Sequence, residues 1–308
     1  MRVFKDASFE FLESRGRAYV VSALLLLVGI GSLVYHGGLS YGVEFTGGTL
    51  MQVEFSEETS VGELRDALTA EGLTGVQIQG FGSANEYLIR MRTFEATQQR
   101  DVVEELRAAL DASVGADGYS VERVEAVGPK VGSELQTKAL TAILLSFVLT
   151  LIYLAFRFEW RFGVAAVIAT AHDILLTFGF ISLLDVEITL GTVAAILTIV
   201  GYSLNDTIVT FDRMRENLRK RRKEGYVALL NRSINEVLPR TVMTSVTTLA
   251  TLIALFVFGG RVIRPFALVL ILGVAVGTYS SIFVASPALL EIDEWLERRR
   301  AAQAQPAG

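Results

Sequence analysis

Cysteine is absent from all 308 residues, which removes any disulfide framework and any thiolate chemistry. Histidine occurs only as His36 and His172, and no Ser/His pair, HExxH or other metal-ligand cluster stands at a usable spacing. There is no Walker pattern and no dinucleotide fingerprint. An enzyme is therefore not expected, and neither are a resident metal, a cofactor or a nucleic-acid partner. Charge is scarce on average and segregated in detail. The formal net charge of -5 combines a basic run at Arg219, Lys220, Arg221, Arg222 and Lys223 with an acidic group at Glu57, Glu58, Glu63, Asp66 and Glu71.

Apolar residues are abundant. They make up 51% of the chain, and the mean hydropathy is +0.45, too apolar for an ordinary soluble domain, so the sequence reads as an integral membrane protein. A helix needs roughly 20 residues to cross about 30 Å of hydrocarbon. Six segments approach that length: 18–39, 137–156, 162–184, 188–211, 241–258 and 265–290. The first is longer than a signal-peptide core and lacks a small-x-small cleavage site, so it reads as a retained anchor. Before it, Phe4, Phe9, Phe11 and Leu12 among charges suggest a short interfacial anchor in 1–17.

Orientation follows from the loops, because Lys and Arg accumulate on the cytoplasmic side of short connections. Arg2, Lys5, Arg15 and Arg17, then Arg157 and Arg161, then the basic loop 212–240, then Arg298 to Arg300 in the tail 291–308 all fall on one side. Opposite them lie Asp185 and Glu187, with Arg261 and Arg264 as the contrary signal. Both termini are expected in the cytoplasm, and residues 40–136 on the outer side.

Those outer residues alternate between strand and helix patterns. Thr49 to Phe55, Val76 to Phe81, Tyr87 to Met91 and Tyr119 to Val127 have strand periodicity, while Val61 to Ala70 and Gln98 to Leu110 have helical spacing. Their order is β-α-β-β-α-β, which predicts a ferredoxin-like α+β domain, with Gly82 to Asn85 turning between the middle strands. The fold class expected is thus a six-span α-helical membrane protein carrying one small α+β domain between the first two spans. Glu44, Gly47 and Gly48 lie where the chain leaves the membrane, and the diglycine reads first as a flexible exit loop.

Polar residues inside the spans are the sharpest functional signal. Asn205 and Asp206 interrupt the fourth span, and a charge at mid-membrane costs about 2.5 to 3.5 kcal/mol on the lenient scale. Ser203 and Thr207 flank them, and Arg240 opens the fifth span from the same side, followed by Thr241, Thr244, Ser245, Thr247 and Thr248. Asp206 either locks two helices through Arg240 or titrates. Moving one charge through 100 mV is worth about 2.3 kcal/mol, which favours titration over a costly static pair. The hydroxyls either bond back to their own helix or line a hydrated path. His172 and Asp173 in the third span are either a proton relay or a pair satisfied by a neighbouring helix. Gly273 and Gly277 form a small-xxx-small pattern, predicting a close helix crossing within the chain or with another subunit.

Five segments in order carry a family resemblance: Gly42 to Gly48 (GVEFTGG), Ala171 to Asp173 (AHD), Gly201 to Thr207 (GYSLNDT) continuing to Phe211 to Asn217 (FDRMREN), Arg240 to Thr248 (RTVMTSVTT), and Gly277 to Ser281 (GTYSS). Together they resemble the SecF family, the smaller subunits of the SecD/SecF accessory complex of bacterial protein export, within the RND superfamily. Glu44 stands where that family usually has Asp. The resemblance implies a multi-pass protein of the bacterial inner membrane that acts with SecD beside the SecYEG channel, with YajC as a further partner. It implies that the proton gradient, and no cofactor, powers late export of an unfolded polypeptide, with Asp206 and Arg240 tied to proton passage. A proton-coupled small-molecule exporter subunit and a passive scaffold of the channel remain as alternatives.

Overall fold

The computed structural model describes residues 7–73, 75–81, 83–91, 99–220 and 224–304. The expectations resting on Arg2, Phe4, Lys5, Gly82, Gln98, Arg221, Arg222 and Lys223, and on the side chain of Arg261, lie outside the described residues. The chain divides into two compact units, Met1–Ser40 with Ile143–Gly308, and Tyr41–Ala142.

Among the described residues, six helices are long and apolar enough to cross a membrane. In chain order the elements of the helical unit are α1 (Arg15–Tyr35), the end of α5 (Pro129–Arg157), α6 (Trp160–Leu183), α7 (Leu190–Arg219), α8 (Tyr226–Phe258), α9 (Gly260–Ser280) and α10 (Ser286–Ala304). A single π-helical turn, Ser281–Ala285, joins α9 to α10. Several helices outrun the spans expected for them. At 1.5 Å per residue the 29 residues of α5 reach about 43 Å, more than the hydrocarbon needs. The extra length lies in the polar stretch after Pro129, a residue suited to a first helical turn, where hydropathy gives no signal. For the same reason much of 212–240, expected as a loop, is helical, because α7 runs to Arg219 and α8 starts at Tyr226.

Local chemistry sets the ends. At the start of α7, Thr189 Oγ1 accepts from Thr192 N at 3.2 Å and Thr192 Oγ1 accepts from Thr189 N at 2.5 Å, a reciprocal cap. Pro239 inside α8 has no N–H to offer the carbonyl of Asn235, a break one residue before Arg240. The N-terminal segment, expected only as an anchor, docks on α8. Phe9 N donates to Asn235 Oδ1 at 2.9 Å, Asn235 Nδ2 donates back to Phe9 O at 2.8 Å, and Leu12 N donates to Asn231 Oδ1 at 3.0 Å. Leu12 is fully buried in the main apolar core with Phe162, Phe211 and Leu230.

Small residues bring the helices together. Ser22 meets His172, Gly29 meets Gly179 and Ser32 meets Ser182, so α1 and α6 run parallel at a constant offset of 150 residues. A Cβ on Gly29 would stand 2.8 Å from the Gly179 Cα, which leaves room there for hydrogen alone. In α9, Gly273 faces Ile199 and Gly277 faces Ser203, so the small-xxx-small pattern is an internal crossing with α7.

The second unit contains α2 (Val43–Thr46), β1 (Gly48–Phe55), α3 (Val61–Ala70), β2 (Gln77–Gly80), β3 (Glu86–Met91), α4 (Gln99–Val114), β4 (Tyr119–Val127) and the start of α5. Its sheet is ordered β2-β3-β1-β4 with every neighbouring pair antiparallel. Met51, Val53 and Phe55 on one face of β1 pack with Leu64, Leu68, Leu106 and Leu110 of the two helices. Ser60 caps α3, and its backbone N–H holds the Glu63 carboxyl below the usual carboxylate range. The diglycine is no slack loop. Both glycines are buried at positive φ (71° and 125°), and a Cβ on Gly47 would stand 2.9 Å from the Pro129 Cα. Glu44 lies half-buried on α2 one turn before them.

Candidate functional site

Three described carboxylates are buried inside the helical unit: Asp293 on α10, which pairs with Arg161 at 2.6 Å and accepts from the Tyr226 hydroxyl, and Asp173 and Asp206, whose surroundings differ. Asp173 on α6 is 1% exposed and saturated with donors. Ser203 Oγ of α7 donates to its Oδ2 at 2.5 Å, Ser280 Oγ of α9 donates to the same oxygen at 2.6 Å, and His172 Nδ1 stands 2.9 Å from Oδ1. His172 Nε2 reaches Ser22 Oγ of α1 at 3.1 Å, and Ser22 lies 3.2 Å from the Tyr279 hydroxyl, which donates to Ala18 O at 2.9 Å. One carboxylate thereby ties four helices together. Of the two readings open for His172 and Asp173, the geometry is that of a pair satisfied by its neighbours.

Asp206 on α7 is 2% exposed, yet its Oδ2 accepts no hydrogen bond among the described residues. A buried acceptor left bare costs about 1 to 3 kcal/mol, more for a charged group. Arg240 of α8 attracts it electrostatically, but no ion pair within 4.0 Å joins the two among the described residues. A bidentate fork is therefore not the geometry seen. Arg240 itself is an exposed residue of the helical unit.

The remaining candidates separate into satisfied and outward-facing groups. Asn205 is exposed, about 100° round α7 from Asp206. Thr207 Oγ1 bonds back to Ser203 O at 3.2 Å, and Thr244 Oγ1 to Arg240 O at 3.0 Å. Ser245 Oγ bridges instead, 2.6 Å from Thr278 Oγ1 of α9 and 3.4 Å from the Tyr202 hydroxyl of α7. Thr248 is half-buried farther along α8. Of the hydroxyls that enrich α8, Thr244 and Thr247 thus serve their own helix. Gly273 and Gly277 bring α9 close enough for Ser280 to reach Asp173. Ser22 and Tyr279 belong to the Asp173 cluster but carry no sign of it in the sequence, since the partners lie 150 and 257 residues apart. Among the described residues no group of His, Asp and Glu is arranged to hold a metal.

Comparison with known proteins gives a consistent result. A family model described as "Protein export membrane protein SecD/SecF, C-terminal" matches residues 108–295, and one described as "SecD/SecF GG Motif" matches residues 34–58. The chain is 47% identical to the protein translocase subunit SecF of Gemmatimonas aurantiaca, over 97% of this chain and 90% of that protein. It is 45% identical to the SecF subunit of Magnetococcus marinus over 98% of both. The protein translocase subunit SecDF of Thermus thermophilus is 41% identical over 98% of this chain, which spans only 40% of that longer protein. Among solved structures, SecDF of Thermus, described as a translocon-associated membrane protein, superposes with a TM-score of 0.84 at 39% identity, covering 96% of this chain and 40% of that one. A structure of SecDF in a super-membrane-facing form gives a TM-score of 0.70 at 38% identity, with 97% and 40% covered. Sequence and fold together place the chain in the SecD/SecF family of protein-export membrane proteins, among its SecF members.

Proposed function

We propose that the chain is an accessory subunit of the Sec protein translocase in which a proton passing Asp206 drives late steps of polypeptide export. The export role rests on the SecF relatives, and pairing with SecD is supported by the Thermus relative in which a SecF-like region is part of one longer SecDF chain. The observation that carries the proton step is the bare Asp206 Oδ2, buried within the field of Arg240. Protonation removes the attraction to Arg240, and the packing of α7 against α8 relaxes. The change is passed to the α+β unit, ferredoxin-like in its strand order and periplasmic in this reading, which handles the emerging unfolded polypeptide. A proton crossing 100 mV supplies about 2.3 kcal/mol, enough for a modest domain motion.

The setting is the bacterial inner membrane with both termini cytoplasmic, a reading supported by the shared side of the basic clusters around Arg157, Lys220 and Arg299. SecYEG and YajC are the further partners in this assembly. The test is export into vesicles containing the chain with SecD and SecYEG, with and without a proton gradient. Asp206→Asn removes the gradient's stimulation and keeps basal export. Undiminished stimulation would leave a passive scaffold.

A further inference from the structure

Nearly every described threonine along these helices satisfies its hydroxyl on its own backbone. Thr170, Thr177, Thr207, Thr210, Thr247 and Thr278 each donate to the carbonyl four residues earlier. Thr241 does not. It is 1% exposed, and its Oγ1 has no hydrogen-bond partner among the described residues. Within α6 to α9, the described buried side-chain atoms in that condition are Thr241 Oγ1 and Asp206 Oδ2, apart from those of the Arg232 guanidinium, which pairs with Glu224 and Glu236.

These two bare oxygens lie at the same level. Helices α7 and α8 run antiparallel, and three contacts fix their register: Tyr202 with Ser245, Arg213 with Glu236, and Asn217 with Ser233. Interpolating between the first and second sets Asp206 opposite the turn that begins at Thr241. Arg240, whose charge acts on Asp206, is the adjacent residue. A buried carboxylate oxygen that accepts and a buried hydroxyl that both donates and accepts, at one level of neighbouring helices and each without a partner among the described residues, are the partners a single water or hydronium needs.

We propose that Thr241 completes the Asp206 site: its hydroxyl and the Asp206 carboxylate together bind one water that carries the proton to and from the acid. This rests on the proton-handling reading of Asp206. The other groups facing Asp206 fit the arrangement. On α6, Asp173 and His172 are already engaged with each other and with Ser203, one turn before Asp206. On α9, where Gly273 faces Ile199 and Gly277 faces Ser203, the same offset sets Ser280 level with Asp206; it brings no charge, and its hydroxyl already donates to Asp173. On α8, Arg240 supplies charge but no direct bond within 4.0 Å among the described residues.

Infrared difference spectra of the full chain with SecD in bilayers, titrated with acid, test the site directly. The wild type gives a carboxyl C=O band that vanishes in Asp206→Asn. In Thr241→Val, which keeps the shape and removes the hydroxyl, that band moves to higher wavenumber, as a carbonyl losing a hydrogen-bonded neighbour does. Gradient-driven export by the same variant falls about tenfold, the factor expected for one hydrogen bond to a charged group. Thr241→Ser restores both, and Thr241→Ala repeats the valine result should branching disturb the packing. An unmoved band in both Val and Ala variants, or a serine variant that fails to restore it, overturns the assignment. A band that survives Asp206→Asn overturns the proton-handling reading beneath it.

Discussion

Asp173 and Asp206 are both buried, on adjacent helices, and their hydrogen bonding differs: both oxygens of the first are bonded, whereas Oδ2 of the second has no partner among the described residues. A saturated buried carboxylate has one good arrangement of its neighbours, so it fixes packing. An unsaturated one is costly in that arrangement and is relieved by a proton or a water, so its state can change what surrounds it. Ser203 links the two, bonding to Asp173 one turn before Asp206. The locked node thereby holds the helix on which the responsive one sits.

That contrast can be broken first at Asp173. Replacing it with alanine removes the acceptor of a four-helix network and should cost about 3 to 5 kcal/mol, read as a fall in thermal unfolding temperature of the purified chain. Asp206→Asn should cost less than about 1 kcal/mol in the same assay, because no bond to Oδ2 is lost. The opposite ranking would erase the distinction. Next comes the crossing that presents Ser280 to Asp173. Gly273→Val places a side chain where a Cβ already falls 2.1 Å from the Ile199 side chain, so about 1 to 3 kcal/mol of overpacking is expected, with Ile199→Ala as the compensating change.

Arg240 sharpens the comparison on the functional side. Since it influences Asp206 without an ion pair, Arg240→Lys should keep gradient-stimulated export within about threefold of the wild type, whereas Arg240→Gln should lose most of it. A lysine variant as inactive as the glutamine one would mean that a guanidinium fork forms during the cycle. Smallest of all is Thr247→Val. Its exposed hydroxyl only bonds back to Met243 O and Thr244 O, so stability should change by less than about 0.5 kcal/mol and export should not change.

Much of this was readable from the chain because membrane burial makes polar residues conspicuous. Asp206, Arg240, His172 and Asp173 stood out against apolar walls, and Gly273 with Gly277 announced a crossing. What could not be read was who meets whom. Ser22, Gly29 and Ser32 have the same spacing as His172, Gly179 and Ser182, but nothing local says that α1 lies against α6. Helix ends are not legible where polar turns continue past the hydrocarbon, as after Pro129 and from Asp212 to Arg219, since hydropathy reports the solvent and not the helix. The role of the diglycine is hidden for a related reason. Glycine suits both slack and close packing, and Pro129, whose Cα crowds Gly47, is remote in sequence.

Proton flux into sealed vesicles containing the chain with SecD, under an imposed gradient, tests most directly whether Asp206 carries the proton. Wild-type protein should conduct, Asp206→Asn should fall to the rate of empty vesicles, and a folded Asp173→Asn should still conduct above that rate. Equal flux through the wild type and Asp206→Asn would contradict the account.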